Sequence, residues 1–451
     1  MALLGMPPQS LVFPKQKLVR PGESLSGRFS LGSSAGPESW LSLFRKDGGQ
    51  FTDAKLAVTP AGETYLSVVS DLYPVNSREV ITTKVDRFGE VVYSTYCNAN
   101  GYYAPKPVLY GSGDIELPLA ILPNPWSAAN PRRTTFVRLN SYGSIARQAS
   151  IRAQDKPWDL GAGMVRVFNS TYYSEDISFH AAEYGDLDSP FTRASVIKVS
   201  QSSGVQWVRG FEYSNSQHPL NFGGVCVDSQ GNSYAISTDG LSIVVKLDPA
   251  GNVLFQKRIN GIYDPTYNPF RSSAIALSPN GDVFIVGQNF GIWDNAVLCL
   301  SSSGTLKWAK SLGSGFLASV VVDPVGSVYV LGDIGNGLTL VKLSESGGLL
   351  WSETFIGSSV GPKDMALSKE FIHFCGSATS SEVLLGKIPI DWKGSGTTAG
   401  ISYGAINITV TNQALTLSDV STPHVLKPSL SAGNTVSLLS YKFGSTSLNP
   451  V

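Results

Sequence analysis

The sequence predicts an all-β protein, on three observations. The 451-residue chain holds 46 glycines, 26 prolines and 10% aromatic residues, a composition suited to many tight turns. Little of it repeats apolar residues at helical spacing, whereas short apolar runs bounded by turn residues recur along most of its length. Those runs enter glycine turns of two kinds, exemplified by Asp323-Pro324-Val325-Gly326 and Asp248-Pro249-Ala250-Gly251. A content of 42% hydrophobic residues argues against disorder.

The first kind of turn closes an inner hairpin. It occurs at Thr59-Pro60-Ala61-Gly62, Asp228-Ser229-Gln230-Gly231, Ser278-Pro279-Asn280-Gly281 and Asp323-Pro324-Val325-Gly326, with the residue types of a type I turn. The second closes an outer hairpin and carries Gly89, Gly143, Gly204, Gly251, Gly304, Gly347 and Gly394. Before it stands a strand with a recurrent cation, as in Thr83-Lys84-Val85, Val137-Arg138-Leu139, Ile197-Lys198-Val199, Val245-Lys246-Leu247, Val341-Lys342-Leu343 and Gly386-Lys387-Ile388; Cys299 stands in its place once. After it comes an aromatic, such as Tyr93, Trp207, Trp308 or Trp351.

Paired hairpins at a period of roughly 45 to 50 residues define a β-propeller, and seven outer turns predict seven blades. The blades are expected at 53–98, 108–152, 160–213, 221–260, 272–312, 316–356 and 361–397. The cations and aromatics are read as packing between blades, with the cationic heads in water. Residues 1–52 are then an N-terminal arm, 53–397 the seven-bladed β-propeller and 398–451 a C-terminal β extension. In the arm, the run from Trp40 to Gly48 looks like an outer half-motif able to close the ring, because an open ring leaves sheet edges unpaired. In the extension, Ile406–Val410 and Thr435–Tyr441 alternate like strands.

The run Ala318–Val330, with Leu340-Val341-Lys342-Leu343 and Gly347-Gly348-Leu349-Leu350-Trp351, resembles the bacterial seven-bladed β-propeller repeat family. The resemblance is good over the fourth to sixth blades and implies a ring of four-stranded meanders. The last of these runs also looks like the tryptophan repeat of quinoprotein dehydrogenases, which would imply eight blades and a vicinal cysteine pair; no two cysteines here are adjacent. Ser200–Trp207 is similar in spacing to the sialidase Asp-box, with Ser202 in the Asp position, and that motif implies a hairpin rather than hydrolysis.

Composition narrows the function further. The 34 basic and 34 acidic residues balance, and only 15% of the chain is charged, so no global field recruits nucleic acid or an anionic membrane. No stretch approaches a membrane span, and the short apolar run Ala2–Met6 lacks the preceding basic residue of a secretory signal. Cys97, Cys226, Cys299 and Cys375 are widely spaced, and the three inside strand-like runs, Cys226, Cys299 and Cys375, read as buried apolar residues. His180, His218, His373 and His424 show no metal-ligand spacing, and no nucleophile elbow or phosphate loop is present. No catalytic residue, cofactor or metal is therefore expected.

In a propeller the tight turns lie on one face and the longer connections on the other. Here the second set carries Tyr102, Tyr103, Trp126, Trp158, Tyr213, Tyr263, Tyr267 and Trp293, which makes that face the candidate binding surface. Asp155, Asp186, Asp188, Asp264 and Asp294 fall in the same connections and read as solvated acids, without the spacing of a calcium loop. The expected function is a non-catalytic virion structural protein, a bacteriophage tail or fibre component. Its propeller would be both scaffold and receptor-binding surface. Its terminal arms would engage other virion proteins in an oligomer or larger assembly, with a glycan or host receptor on the aromatic face. A carbohydrate- or protein-binding propeller on a bacterial surface is the alternative, and a polysaccharide-degrading enzyme a third reading.

Overall fold

The structure is a computed structural model, and it describes residues 28–30, 39–45, 49–72, 77–98, 104–110, 113–121, 133–151, 179–182, 192–200, 204–213, 221–239, 242–260, 270–289, 294–334, 337–356, 361–379, 381–398, 401–413, 416–419 and 425–426. Among these residues there is no helix, and neighbouring strands pair antiparallel in seven sheets, of which the fifth and sixth are joined through a shared strand.

Two strands, β1 (Arg28–Ser30) and β2 (Trp40–Arg45), precede the first meander of β3 (Gly49–Val58), β4 (Thr64–Leu72), β5 (Ser77–Val85) and β6 (Val91–Asn98). The second comprises β7 (Val108–Leu109), β8 (Ile115–Ile121), β9 (Arg133–Leu139) and β10 (Ile145–Ile151). In the third, β11 (Phe179–Ala182), β12 (Thr192–Ser200) and β13 (Gly204–Tyr213) are described. The fourth is β14 (Asn221–Val227), β15 (Ser233–Asp239), β16 (Ile243–Leu247) and β17 (Val253–Asn260). The fifth and sixth share one long strand: β18 (Phe270–Leu277), β19 (Val283–Asn289) and β20 (Asp294–Leu300) pair with the first half of β21 (Leu306–Val322). Its second half pairs with β22 (Val328–Ile334), followed by β23 (Leu338–Leu343) and β24 (Leu349–Ile356). The seventh contains β25 (Gly361–Leu367), β26 (Phe371–Thr379) and β27 (Glu382–Pro389).

The outer position of the seventh sheet is taken by β2, with Trp40 opposite Lys387 and Arg45 opposite Glu382, and β1 adds beyond it. The chain leaving β27 then forms β28 (Gly396–Thr398) and β29 (Ile401–Ala405), and β29 pairs with β24. Further on, β30 (Thr411–Asn412) pairs with β21, β31 (Thr416–Asp419) with β17 and β32 (Val425–Leu426) with β13. The tail therefore lies on the outer edges of the sixth, fifth, fourth and third sheets in turn.

Alternating side chains explain why these strands are apolar throughout. On β19, Val283 and Ile285 enter one core cluster and Phe284 and Val286 another. On β27, Leu384 and Ile388 face the sixth sheet, whereas Val383 and Leu385 join Leu56, Leu66 and Val68 of the first. A sheet sandwiched between two others has no solvated face, so the period-two pattern of an ordinary antiparallel sheet is lost. The last sheet packs on the first through Trp40, Phe44 and Cys375 on one side and Ala54, Ile81 and Val85 on the other.

Among the described residues, an aromatic of the preceding sheet holds the turn or chain segment that follows the third strand. The indole Nε1 of Trp40 donates to Arg87 O at 3.2 Å, that of Trp207 to Pro249 O at 3.0 Å, that of Trp308 to Glu345 O at 3.0 Å and that of Trp351 to Ile390 O at 3.2 Å. The turn glycine lies flat on the ring: at Gly251, with φ of 81°, an added Cβ would stand 2.7 Å from the Trp207 indole. Of the recurrent cations, Lys84, Lys342 and Lys387 are buried rather than in water as expected from sequence, whereas Lys198 and Lys246 make their bonds at the surface. Lys246 lies over the Tyr234 ring and donates to Ser302 O at 3.0 Å, Lys342 lies over Tyr329 and pairs with Asp391 at 3.1 Å, and Lys387, 1% exposed, lies over Phe371 and donates to Arg87 O at 3.0 Å. Stacking on an aromatic face and bonding to the next turn replace the hydration of the ammonium.

Two further expectations are corrected. Gly394 does not close an outer hairpin, because β2 holds that edge and the chain leaves for the neighbouring sheet. Ile406–Val410 does not form a strand: the Ile406 N–H donates to Ser352 O at 3.3 Å, and the alternation packs Ile408 and Val410 against the core cluster of the fifth and sixth sheets as the tail crosses between edges.

Candidate functional site

A buried polar assembly lies where the first strands of neighbouring sheets meet. The register shifts between Phe51 and Asp53 in β3, between Ser272 and Ala274 in β18, between Leu317 and Ser319 in β21 and between Pro362 and Asp364 in β25. A bulge re-aims the side chains around it, and here the bulged residues reach the next first strand. Ser273 donates to Leu317 O, and Lys363 Nζ donates to Thr52 O at 3.1 Å.

Asp364, 3% exposed, is the centre of this assembly. Its Oδ2 accepts the Leu56 N–H at 3.1 Å, its Oδ1 accepts the Ser319 hydroxyl at 3.1 Å, and Lys106 Nζ lies 3.3 Å from Oδ1 and 3.2 Å from Oδ2. Asp53 accepts the Ala104 N–H at 3.0 Å, and Lys55 Nζ lies 3.4 Å from Lys363 O. Burial alone would raise the Asp364 pKa; the Lys106 and Lys55 ammonium groups and the Leu56 and Met365 N–H groups outweigh it and hold the carboxyl below the usual aspartate range. An ionised, fully bonded carboxylate has no proton to give and no free lone pair to take one. Chemically, the cluster is a brace across the sixth, seventh and first sheets and the segment leading into β7.

His373 is a second brace. Its Nδ1 lies 2.9 Å from Thr64 Oγ1 and its Nε2 3.0 Å from Ser368 Oγ, and burial followed by the nearby Lys387 charge lowers its pKa to about 3. A neutral imidazole between two hydroxyls, each able to donate or accept, is satisfied. The thiols of Cys226, Cys299 and Cys375 are buried, and burial raises that of Cys299 to about 12. Glu353 on β24, 3% exposed and opposite Ala405 of β29, has an Oε2 without a hydrogen-bond partner; burial raises its pKa to about 7. Among the described residues no cluster of His, Cys, Asp or Glu forms a metal site, and no helix is long and apolar enough to cross a membrane.

Of the residues expected on the binding face, Tyr213 ends β13 opposite Thr192. Tyr102, Tyr103, Trp126, Trp158, Tyr263, Tyr267 and Trp293 lie outside the described residues, as do Asp155, Asp186, Asp188 and Asp264. Asp294 opens β20 and accepts the Ser311 hydroxyl at 2.8 Å. Sequence reasoning missed Lys106 and Asp364. The available signal was an acid in a first strand at the position where β21 has Ser319 and β18 has Ala274.

No family model matches the chain, and no curated protein matches it in sequence. Among solved structures, it is similar to a protein of unknown function from Bacteroides caccae at 11% identity and a TM-score of 0.33, over 72% of this chain and 92% of that one. It is also similar to a luciferin-regenerating enzyme at 11% identity and a TM-score of 0.36, over 77% of this chain and 94% of that one. Likeness at that level carries no argument about function.

Proposed function

We propose that the sheets close into a seven-bladed β-propeller and that the protein is a non-catalytic structural component of a larger assembly, of the kind that builds a bacteriophage tail or fibre. The observation that carries this reading is the use of the strands before and after the meanders as bracing. The early strands β1 and β2 extend the last sheet, and β29 to β32 extend four others. Covered sheet edges resist opening and unplanned strand pairing, a property that a component exposed outside the cell needs. The braces at Asp364 and His373 support the same reading, because both groups are engaged in holding sheets together.

Light scattering on the purified full chain tests it. A defined oligomer, or a stable complex with other proteins of one particle, is expected. A strict monomer at all concentrations that shortens capsular polysaccharide would overturn the proposal in favour of an enzyme.

A further inference from the structure

The tail makes its first added pairing on β24, the outermost strand of the sixth meander. There β29 runs antiparallel, from Ser402 opposite Ile356 to Ala405 opposite Glu353. On its other side β24 pairs with β23 over a longer stretch, from Leu343 opposite Leu349 to Leu338 opposite Phe355. The tail seam is therefore the shorter of the two, and Glu353 stands at its end.

Glu353 is buried on the face of β24 that also carries Trp351 and Phe355. That face packs into the core cluster of the sixth and seventh sheets, with Leu340, Trp392 and Ile401. Among the described residues its Oε2 has no hydrogen-bond partner. The charges on the elements around it are engaged elsewhere. Lys342 of β23 pairs with Asp391 at 3.1 Å, Lys387 of β27 donates to Arg87 O, and Glu382 of β27 accepts the Thr379 hydroxyl. Asp364 of β25 is held by Lys106, His373 of β26 bonds Thr64, and Lys393 in the segment after β27 is exposed. On β29 the titratable group is Tyr403. Burial is accordingly the one cause that raises the Glu353 carboxyl to about 7.

Across the sheet, the neighbour of Glu353 on β23 is Leu340, which is buried, and its neighbour on β29 is Ala405, which is exposed. The next main-chain bond along the tail, from Ile406 N–H to Ser352 O, is long at 3.3 Å. An ionised carboxylate needs hydration that an apolar site denies it. Lifting the end of β29 brings water to it at the cost of a short seam, whereas parting β23 from β24 would break the longer pairing and the core.

We propose that Glu353 is a proton-operated latch on the tail: with its carboxyl protonated β29 stays closed on β24, and loss of that proton opens the seam from Ala405. Closure is then strongest below pH 4.5 and weakens as pH rises through about 7. Opening bares the main-chain edge of β24 to other extended segments. The latch concerns one chain and does not rest on the proposed assembly role.

Amide hydrogen exchange on the full chain tests it, read as protection factors so that the intrinsic pH dependence of exchange is removed. The tail amides directed at β24 are that of Ile406 and, by antiparallel alternation, those of Gly404 and Ser402. Between about pH 5.5 and about pH 8 their protection should fall about thirty-fold, the ratio set by a carboxyl at 4.5 when open and about 7 when closed. In Glu353→Gln it should stay level, as should that of the β31 amides on β17 in both proteins. Level protection in the wild type would overturn the latch, and so would an equal fall in wild type and variant. An equal fall in the amides between β23 and β24 would overturn it as well, because the sheet would then be parting rather than the tail lifting.

Discussion

The Lys106 ammonium lies within 3.3 Å of both oxygens of Asp364, and the two side chains are almost fully buried. The pair joins the segment leading into the second sheet to the first strand of the seventh, residues far apart in sequence. Its value lies less in the attraction than in the penalty for removing one partner, which leaves the other charge in a dry site.

Asp364→Asn should therefore lower unfolding free energy by about 3–5 kcal/mol in chemical denaturation. The native carboxyl titrates below its ordinary 3.8. Its contribution is therefore fully present above that value and is lost as pH falls through the lower native one. The wild type should lose stability in acid more steeply than the Asn variant.

Glu353 predicts the opposite slope. Its pKa rises from 4.5 unfolded to about 7 folded, so its contribution to stability is greatest below pH 4.5, declines as pH rises toward 7 and is level above it. The shift corresponds to a loss on the order of 3 kcal/mol. Glu353→Gln should abolish that decline and leave the variant more stable than wild type at pH 8, measured by denaturant midpoints across pH.

The clasp between outer strand and following turn is tested at Trp308 and Gly251. Trp308→Phe removes the hydrogen bond to Glu345 O and should cost about 1 kcal/mol, and Trp308→Ala about 3–5 kcal/mol. Gly251→Ala forces a side chain into positive φ and into the Trp207 ring. It should destabilise by more than the roughly 1 kcal/mol expected from backbone strain alone. Thermal unfolding of the three variants ranks these costs.

The thiols of Cys226, Cys299 and Cys375 should resist alkylation in the native protein and react once denatured, because burial keeps them protonated and inaccessible. Peptide mapping after brief native labelling measures each site. Rapid modification of Cys299 would contradict its burial between the fifth and sixth sheets.

The hairpins were legible in the sequence because their cause is local. Asp228 accepts the N–H groups of Gln230 and Asn232, Asp323 those of Val325 and Ser327, and the following glycines take the positive φ that closes each bulged turn. The same logic overlooked Gly113, whose turn begins at Tyr110 rather than at an Asp, Ser or Thr. The aromatic after each outer turn was also legible, since its ring repeats with the turn it clasps in the next sheet.

The buried braces were not legible, because nothing near Asp364 in the chain announces Lys106, and nothing near His373 announces Thr64. The cations of the third strands were visible as a pattern, but the groups that accept hydrogen bonds from Lys246, Lys342 and Lys387 lie in the next sheet, so sequence left their heads in water. By itself, the sequence determined that this is an all-β chain of repeated glycine-turn hairpins, because turn geometry and strand preference are properties of a few adjacent residues. Tertiary structure alone decided that the tail runs backward along four outer edges and that Asp364 holds its charge among lysines. The reason is that main-chain edges accept any extended segment of suitable reach, so stacking and linker length select the partner.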